Sequence, residues 1–436
     1  MTHVERLFAL EQFGIKLGLE AMRVVLAALG DPQTRWPAVH VAGTNGKGSV
    51  TAMADAVLRH AGWRVGRYTS PHLARIEERI AIDGREVAPA VLEAALARVF
   101  AVVDALVADG RLAAVPTFFE VSTAAAFVVF ADAAVDVAVV EVGLGGRFDA
   151  TNVIRPAVTA ITSIDFDHER HLGTTLAAIA YEKAGIAKSG VPLVVGPLAP
   201  DARAVVADVA AAAGAILLPT DADVAVATSG DSGHAVLTLT TPVRTYPAFR
   251  LGLAGRHQVA NAVVAVRTLE ALAATAAIAV DADDVAAGLA EVRWPARLEW
   301  LRQPGRAAAV LVDAAHNPAG ARALASYLQD AAIGPVTLVT SVMRDKDAAG
   351  VLGPLLPLVR RVVATHADTP RACGAAELAG RIAALDAGCA VTIVEDPWAA
   401  VQAALADGRS VVVAGSIFLA GPLREALLTR GGFQAA

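Results

Sequence analysis

The segment Gly43-Thr44-Asn45-Gly46-Lys47-Gly48-Ser49 decides how the rest of the chain is interpreted. It follows a short apolar run ending in Val39-His40-Val41-Ala42 and precedes a helical pattern. A glycine loop between a strand and a helix aims backbone N–H groups and the helix dipole at phosphate oxygens, and Lys47 neutralises the β- and γ-phosphates. The loop therefore predicts binding of a nucleoside triphosphate. The alternative is an ordinary glycine turn between a strand and a helix.

The loop departs from the usual P-loop pattern, G-x-x-x-x-G-K-[ST], in two ways. The residue after the lysine is Gly48, where the usual loop has a hydroxyl that binds Mg²⁺. In addition, no glycine stands five residues before Gly46. A metal bound to the phosphates must therefore find its ligands elsewhere in the chain.

Composition limits the classes of protein that the chain can represent. Its 436 residues suffice for two or three domains, and a hydrophobic content of 55% with only 5% aromatic residues suits helices packed on parallel sheets. No charge-free apolar run reaches about 18 residues, and the N-terminus lacks the apolar core of a signal peptide. Cys373 and Cys389 form no ligand-like cluster. We therefore expect a cytoplasmic protein without a membrane partner.

The formal charge of −6 argues against a nucleic-acid partner, since such proteins usually have a basic balance. Anionic small-molecule substrates would have to be met by local cations.

The alternation of strand-like and helix-like segments predicts an α/β protein with two domains. Residues 1–294 are expected to form a P-loop-containing, doubly wound, mostly parallel sheet domain. Within it, residues 221–253 alternate Val, Thr and Leu and predict a β-hairpin insertion. Trp294-Pro295 is interpreted as a linker, and residues 295–436 as a smaller, Rossmann-like α/β domain.

Polar residues follow several predicted strands of the first domain. The Gly43 loop, Ser70, Glu141 and His168 each come just after an apolar strand, and ligands collect at the carboxyl ends of parallel strands. We therefore expect these residues to share one rim of the sheet. Taken singly, Glu141 could be a solvated strand-end carboxylate and His168 a structural histidine.

The segment after Glu141 strengthens the case for a site. Its glycines, Gly143, Gly145 and Gly146, permit close approach of the backbone to a ligand, and Arg147 and Asp149 supply one charge of each sign. His168 in turn lies close in sequence to two carboxylates, Asp165 and Asp167.

Lys183 falls on the apolar stripe of a predicted helix, together with Leu176, Ile179, Ala180 and Ala187. A buried ammonium group is unfavourable unless it is paired or deprotonated. Lys183 therefore either pairs with a carboxylate or is chemically modified.

Four positions in the later part of the chain are also candidates. Asp313 follows a predicted strand and is followed by His316 and by Asn317-Pro318, which are interpreted as an N-cap and a first helical residue. Arg297 lies just after the linker, and the alternative for it is an exposed salt bridge. Asn261 lies in a predicted helix, where it could be a surface residue.

Taken in order, these segments resemble the folylpolyglutamate synthase and dihydrofolate synthase family of the Mur ligase superfamily, from about Phe13 to Ala420. Gly48 and the Ser70-Pro71-His72-Leu73 segment favour this folate branch over the peptidoglycan ligases. The resemblance rests on the following motifs: Gly43–Ser49, Thr69–Leu73, Glu141–Asn152, Asp167-His168, Glu182–Ile186, Asp313–Pro318 and Asp345–Asp347.

The resemblance implies roles for individual residues. The ATP contacts it implies are Gly43, Thr44, Asn45, Gly46, Lys47, Gly48, Ser49, Asn261, Arg297 and Asp313. Its Mg²⁺ ligands, over two sites, are Ser70, Glu141, His168 and Lys183, the last as a carbamate. The residues it implies for catalysis are Lys47, Glu141, His168, Lys183 and Arg297. Its folate or glutamate contacts are Ile15, Lys16, Leu17, Gly18, Phe118, Phe119, Glu120, Arg147, Asp149, His316 and Ser416.

The activity implied is an ATP-dependent amide ligation that adds L-glutamate to dihydropteroate or to a reduced folate through an acyl phosphate. The chain is expected to act as a monomer. One alternative is a ligase for UDP-sugar peptides, the peptidoglycan precursors, and another is a non-catalytic nucleotide switch that uses the same loop.

Overall fold

The computed structural model describes residues 1–14, 18–230, 233–385 and 388–436. Within these ranges the chain divides into two units. The first unit comprises residues 1–227, 237–249 and 260–292, and the second comprises residues 228–236, 250–259 and 293–436. The predicted strand-helix alternation is confirmed in both units. The predicted domain boundary at 294/295 stays a prediction.

The first unit is built on a mainly parallel sheet whose central strands are buried on both faces. Its strands are β1 (Ala38–Ala42), β2 (Val65–Tyr68), β3 (Ile80–Ile82), β4 (Arg85–Glu86), β5 (Val137–Glu141), β6 (Val158–Ile161), β7 (Pro192–Val195) and β8 (Ile216–Pro219). Their order is β4-β3-β2-β5-β1-β6-β7-β8. The neighbouring strands β2, β5, β1, β6, β7 and β8 pair in parallel. Strands β3 and β4 form an antiparallel edge beside β2.

Helices begin and end where the sequence provides caps and breaks. The helices up to residue 291 are α1 (His3–Phe8), α2 (Glu20–Ala28), α3 (Lys47–His60), α4 (Pro89–Ala108), α5 (Phe118–Asp132), α6 (Glu169–Leu172), α7 (Leu176–Ala184), α8 (Pro200–Ala213), α9 (His257–Thr275) and α10 (Ala282–Glu291). Short 3₁₀ turns cover Ala9–Phe13, Pro32–Thr34, Ile76–Arg79 and Ala150–Val153. The predicted helix that carries Lys183 is α7, and Gly173 (φ 97°) separates it from the short helix α6.

The insertion predicted as a β-hairpin contains a third strand. It forms a three-stranded sheet in the order β11-β10-β9, from β9 (Ala225–Ser229), β10 (Val236–Thr240) and β11 (Thr245–Arg250). The extra strand, β9, has all its residues exposed, so it lacks the apolar alternation that marks a half-buried strand in a sequence.

The second unit contains a further α/β sheet in the order β16-β15-β14-β17-β13-β12-β18. Its strands are β12 (Glu299–Arg302), β13 (Ala309–Val312), β14 (Val336–Thr340), β15 (Val359–Ala364), β16 (Ala390–Ile393), β17 (Val411–Ala414) and β18 (Gln434–Ala435). Its helices are α11 (Pro318–Asp330), α12 (Ala348–Leu352), α13 (Ala375–Ala383), α14 (Pro397–Leu405) and α15 (Ile417–Thr429), with a 3₁₀ turn at Leu356–Leu358. Strands β13 to β17 pair in parallel, and β12 and β18 are antiparallel.

Two apolar clusters pack the sheet of the first unit. One includes α4 and α5 residues such as Leu96, Phe100 and Phe127, and the other includes Ile179 and Val206 of α7 and α8. Among the described residues, no helix is both long enough and apolar enough to cross a membrane.

Candidate active site

The strand order of the first unit brings the predicted site segments to one rim. Strands β2, β5, β1 and β6 are neighbours and run parallel. Ser70 follows β2, Glu141 ends β5, the Gly43 loop follows β1, and His168 lies in the loop after β6. The shared rim predicted from the sequence is therefore confirmed.

The end of β6 holds the phosphate loop. Ser163 O accepts a hydrogen bond from Thr44 N at 2.7 Å, and Ser163 Oγ accepts one from Asn45 N at 3.1 Å. Thr162 Oγ1 donates to Asn45 O at 2.6 Å. These two hydroxyl residues support the loop, and the sequence analysis did not single them out. Their signal in the sequence is a pair of small hydroxyl residues directly after a buried strand.

Two glycines of the loop have left-handed backbones and close neighbours. A Cβ atom at Gly43 (φ 148°) would lie 2.0 Å from Thr162 Oγ1. A Cβ atom at Gly46 (φ 85°) would lie 2.3 Å from Asn261 Oδ1. Asn261 is buried at the start of α9 and lies directly over the loop, so it is not a plain surface residue of its helix.

Lys47 begins helix α3 and folds back over the loop. Its Nζ donates to Gly43 O at 3.1 Å and to Thr44 O at 3.2 Å. Gly48 and Ser49 follow it in the first turn of the helix. The ammonium group and the helix N-terminus are thus concentrated where an anion would bind.

Glu141 and Ser70, which are predicted metal ligands, lie at neighbouring strand ends next to this loop. Glu141 is buried, and its Oε2 accepts a hydrogen bond from Ser70 N at 3.1 Å. Carboxylate and hydroxyl oxygens are the kinds of ligand that Mg²⁺ prefers. Within the described ranges, no three His, Cys, Asp or Glu side chains are grouped for a metal. The predicted set includes only two such residues, Glu141 and His168, and their metal-binding role together with Ser70 stays a prediction.

His168 has a strained backbone conformation. Its φ is 51° and it precedes helix α6 directly. Left-handed non-glycine residues are uncommon and cluster at functional sites. Its Nε2 lies 3.9 Å from Asp167 Oδ1. The metal-binding role stays a prediction.

Lys183 is buried on α7, as the apolar stripe predicted. Its Nζ donates to Gly43 O at 2.8 Å, which places it beneath the phosphate loop. Burial, together with the charge of Lys47, lowers the pKa of Lys183 to about 7, and the charges of Asp167 and Asp149 oppose this change only in part. At physiological pH the Lys183 amine is therefore neutral in a sizeable fraction of the molecules.

The segment after Glu141 packs against α7. Arg147 N donates to Glu182 O at 2.8 Å, and the Arg147 side chain pairs with the Glu182 carboxylate at 2.6 Å. Asn152 Nδ2 donates to Gly185 O at 3.1 Å. A Cβ atom at Gly185 would lie 2.3 Å from Arg147 Cβ. The motifs Glu141–Asn152 and Glu182–Ile186 thus pack together as one structural unit. Arg147 lies on the exposed side of this unit, between Phe148 and Tyr181.

The predicted folate contacts differ in their surroundings. Glu120 is buried and closes a capping box with Thr117 at the start of α5, with a Thr117 N to Glu120 Oε2 distance of 2.8 Å. Phe119 contacts Gly143, and Phe118 packs on Phe8 with ring centroids 5.6 Å apart. Their roles in binding stay predictions. Ile15, Lys16 and Leu17 lie outside the described residues, and neighbouring Gly18 has a φ of 149°.

Arg79 is a buried cation that the sequence analysis missed. Its Nε donates to His72 Nδ1 at 2.9 Å, its guanidinium lies 5.1 Å from the Phe118 ring centroid, and it interacts electrostatically with Glu141. Burial lowers the pKa of Arg79, and it also lowers that of His72 to about 4. Because Arg79 ends a run of charged residues, nothing in the sequence marks it as buried.

In the second unit, Asp313 shapes the loop that carries Arg297. Both of its carboxylate oxygens accept backbone N–H groups at 2.8 Å, from Leu298 and from Ala315. Ala296 (φ 52°) and Leu298 (φ 49°) flank Arg297 with left-handed backbones. Such strain persists only where the surroundings impose it, and it is typical of functional segments.

Two other predicted residues have structural partners in this unit. Ser416 is buried and caps α15, with Phe418 N donating to its Oγ at 3.1 Å. Asn317 caps α11 and Pro318 is its first residue, as predicted. His316 Nδ1 lies 2.9 Å from Ala314 O. The nucleotide and glutamate roles of Asp313, Arg297, His316 and Ser416 stay predictions.

Comparison with known families assigns the class of this fold and site. The family model for the Mur ligase middle domain matches residues 41–269, and that for the Mur ligase glutamate ligase domain matches residues 296–417. The fold and the phosphate loop thus define a Mur ligase, an ATP-dependent enzyme that joins an acid to an amino acid.

Individual relatives narrow this class. The chain is 42% identical over 375 residues to the dihydrofolate synthase/folylpolyglutamate synthase of Mycobacterium tuberculosis, covering 83% of this chain and 76% of that protein. The chain belongs to the dihydrofolate synthase/folylpolyglutamate synthase family.

Solved structures agree with this assignment. The crystal structure of M. tuberculosis folylpolyglutamate synthase with ADP and AMPPCP is 38% identical, with a TM-score of 0.89 and coverage of 97% and 98% of the two chains. The bifunctional folylpolyglutamate synthase/dihydrofolate synthase of Yersinia pestis, in complex with AMPPNP and a Mn ion, is 32% identical, with a TM-score of 0.84 and coverage of 98% of each chain.

Proposed function

We propose that this chain joins L-glutamate to a carboxylate of dihydropteroate, of a reduced folate, or of both, and converts ATP to ADP and phosphate in doing so. One observation carries the proposal. The phosphate loop, the Ser70–Glu141 pair and buried Lys183 lie together at one rim of the sheet of the first unit. The family relationship and the nucleotide complexes of the relatives support the same reaction.

In the first step, a carboxylate oxygen of the pteroyl substrate attacks the γ-phosphorus of ATP. The bond to the β,γ-bridging oxygen breaks, ADP leaves with the electron pair, and an acyl phosphate forms. The N–H groups of the Gly43–Ser49 loop and the Lys47 ammonium bind the phosphate oxygens and stabilise the charge on the transferring group. This use of the loop agrees with the way that Lys47 lies over it.

In the second step, the neutral amine of glutamate attacks the acyl carbon. A tetrahedral adduct forms, the amine loses its proton, and phosphate leaves with the acyl C–O electron pair, which gives an amide. The chemistry needs no nucleophilic side chain from the protein. The residues act chiefly by holding the reacting groups in line and by stabilising charge.

A divalent metal belongs to this proposal, as the Mn ion in one relative indicates. Ser70, Glu141 and His168 would hold it. When bound, the ion would polarise the phosphate oxygens and reduce the repulsion between the triphosphate and the attacking carboxylate. The hydrogen bond from Ser70 N orients the buried Glu141 side chain at this place.

Lys183 is proposed to be carbamylated. The lone pair of its neutral amine attacks the carbon of CO₂, one C–O π pair moves to oxygen, and a proton is lost, which gives an anionic carbamate. A pKa near 7 supplies the neutral amine that this step requires. Lys183→Ala is expected to lose activity and to recover part of it with added acetate or formate. An unmodified Lys183 in a crystal structure of active enzyme would refute the carbamate.

A product assay tests the function. The full chain is supplied with ATP, Mg²⁺ and glutamate, and with either dihydropteroate or tetrahydrofolate, and the products are separated by mass. We expect one or both acceptors to gain glutamate with stoichiometric ADP release. Glu141→Ala should remove this ligation and leave the folded state intact.

The remaining outcomes of the assay refute the proposal. With a UDP-sugar peptide supplied as a third acceptor, ATP turnover that depends on this peptide would identify a peptidoglycan-precursor ligase, and turnover independent of every acceptor would identify a nucleotide switch. Substantial ligation by Glu141→Ala would refute the assignment of that residue to the site. The cytoplasmic location and the monomeric state stay predictions.

A further inference from the structure

A buried histidine, His40, lies on β1 three residues before the phosphate loop, and the reaction above does not use it. Its side chain has no exposed surface, and burial lowers its pKa to about 3, so the imidazole is neutral. A neutral imidazole has one N–H donor and one acceptor nitrogen.

His40 Nε2 lies 2.8 Å from Thr151 Oγ1, at the 3₁₀ turn Ala150–Val153. The Thr151 hydroxyl donates to Asp149 Oδ1, and Thr151 N donates to the same oxygen at 3.0 Å. Because a hydroxyl has a single proton, Thr151 must accept from His40, and Nε2 must carry the imidazole proton. Nδ1 has no hydrogen-bond partner among the described residues, which fits an acceptor nitrogen.

The chain of hydrogen bonds ends at a buried carboxylate. Asp149 Oδ2 accepts from Leu144 N at 2.8 Å, so both of its oxygens are held. The charge of Asp149 acts on Lys183, and Lys183 donates to Gly43 O at 2.8 Å. His40, Thr151 and Asp149 thus form a hydrogen-bonded polar circuit, which acts on Lys183 through the charge of Asp149.

We propose that His40 is a positioning residue of the ligase reaction, which acts through Thr151 to fix the Asp149 carboxylate in the segment that packs against α7. The inference rests on the proposed function, because its kinetic consequence presupposes ligation. The hydrogen-bond chain itself is a statement about the folded protein and is measurable without activity.

The chain offers a matched control for the middle member of the circuit. Thr159 on β6 is as fully buried as Thr151 and is the register partner of His40 across the β1–β6 pair. Its hydroxyl donates to Pro192 O at 3.0 Å, outside the circuit. Thr151→Val and Thr159→Val therefore remove the same atom at equal burial, but only the first interrupts the contact between His40 and Asp149.

The kinetic test compares kcat and KM in these variants. We expect Thr151→Val to lower kcat roughly 10- to 100-fold, the loss that follows when the hydrogen-bond partners of metal ligands are removed. The KM for ATP should stay unchanged. Thr151→Ser should restore kcat and Thr159→Val should leave it near the unmodified value. In the Thr151→Val background, His40→Gln should cause no further loss, because the two residues act in series.

The spectroscopic test is independent of the reaction. Long-range ¹H–¹⁵N correlation of the histidine rings, assigned with His40→Gln, should show His40 neutral with its proton on Nε2, and Thr151→Val should shift that signal while Thr159→Val does not. A proton on Nδ1, an unchanged kcat in Thr151→Val, or equal losses in the two valine variants would overturn the proposal. Absence of glutamate ligation in the unmodified enzyme would instead refute the proposed function and leave the spectroscopic result standing.

Discussion

At the scale of single residues, burial sets the charge of two basic side chains in the first unit. His40 and Lys183 have no access to solvent or almost none, and desolvation is the largest cause of the lowered pKa of each. Both are nevertheless hydrogen-bonded, His40 to Thr151 and Lys183 to Gly43 O. Burial therefore favours the neutral form of each side chain over its charged form.

His40 should make the protein sensitive to acid. Its pKa is about 3 in the folded state and about 6.5 when unfolded, so the unfolded state binds more protons below pH 6.5. Stability is thus full above pH 6.5 and is lost as the pH falls toward 3. Between pH 7 and pH 4 this amounts to about 3 kcal/mol, which His40→Gln should remove.

Denaturant unfolding at pH 7 and pH 4 measures this effect. If His40→Gln lost as much stability as the unmodified protein between the two pH values, His40 would not be the titrating group.

At the scale of elements, the strand-to-helix turns determine where the site forms. The β1–α3 turn needs glycine at Gly46 because its backbone is left-handed and Asn261 fills the adjacent space. Gly62, at the other end of α3, has the same φ of 85° with no atom of the described residues within 4 Å of a Cβ. The two glycines therefore share a conformational requirement and differ in packing.

Alanine at these two positions separates conformation from packing. Each substitution should cost about 1–2 kcal/mol of stability from the left-handed backbone. Gly46→Ala should in addition displace Asn261 and weaken nucleotide binding by about tenfold or more, which corresponds to roughly 1.4 kcal/mol. Calorimetric titration with AMPPNP measures the binding. Equal nucleotide affinity in the two variants would contradict the assignment of the loop.

The start of α5 allows a similar separation for Glu120. Thr117→Ala should lower the unfolding free energy by about 1 kcal/mol, because it removes the cap of the helix. Glu120→Gln retains an oxygen that can accept from Thr117 N and should leave stability unchanged, whereas Glu120→Ala should lose stability. A raised KM in Glu120→Gln at unchanged stability would show that this carboxylate contacts substrate.

At the scale of the whole molecule, a protein with a net charge of −6 is proposed to bind anionic substrates. Local groups must oppose the overall field, and the first unit supplies them at one rim as Lys47, the loop N–H groups and the start of α3. Binding there should therefore stabilise the folded chain by mass action.

A non-hydrolysable ATP analogue with Mg²⁺ tests this linkage. At 100 times its dissociation constant it should raise the unfolding free energy by about 2.7 kcal/mol. Excess EDTA should remove most of the gain, and Lys47→Ala should respond only weakly at the same concentration. Equal stabilisation of Lys47→Ala, or no effect of EDTA, would place the nucleotide or its metal elsewhere.

The sequence alone determined the class of fold and the segments of the site. Apolar runs of strand length, each followed by glycine or a polar side chain, predicted buried parallel strands with ligands at their carboxyl ends. Lys183 could be identified as buried because helical periodicity is a local property that a single sequence displays. The β9 strand was missed, because it leaves no clear apolar pattern.

The tertiary structure decided which of these residues touch. That β6 supports the phosphate loop, that Asn261 lies over Gly46, and that His40 reaches Asp149 through Thr151 all depend on contacts between segments about 100 residues or more apart. Arg79 is buried only because other segments cover it. Strand order and packing create such contacts, and local pattern does not specify them. The Gly43–Ser49 loop was therefore recognisable from its own residues, whereas its supports were visible only in the fold.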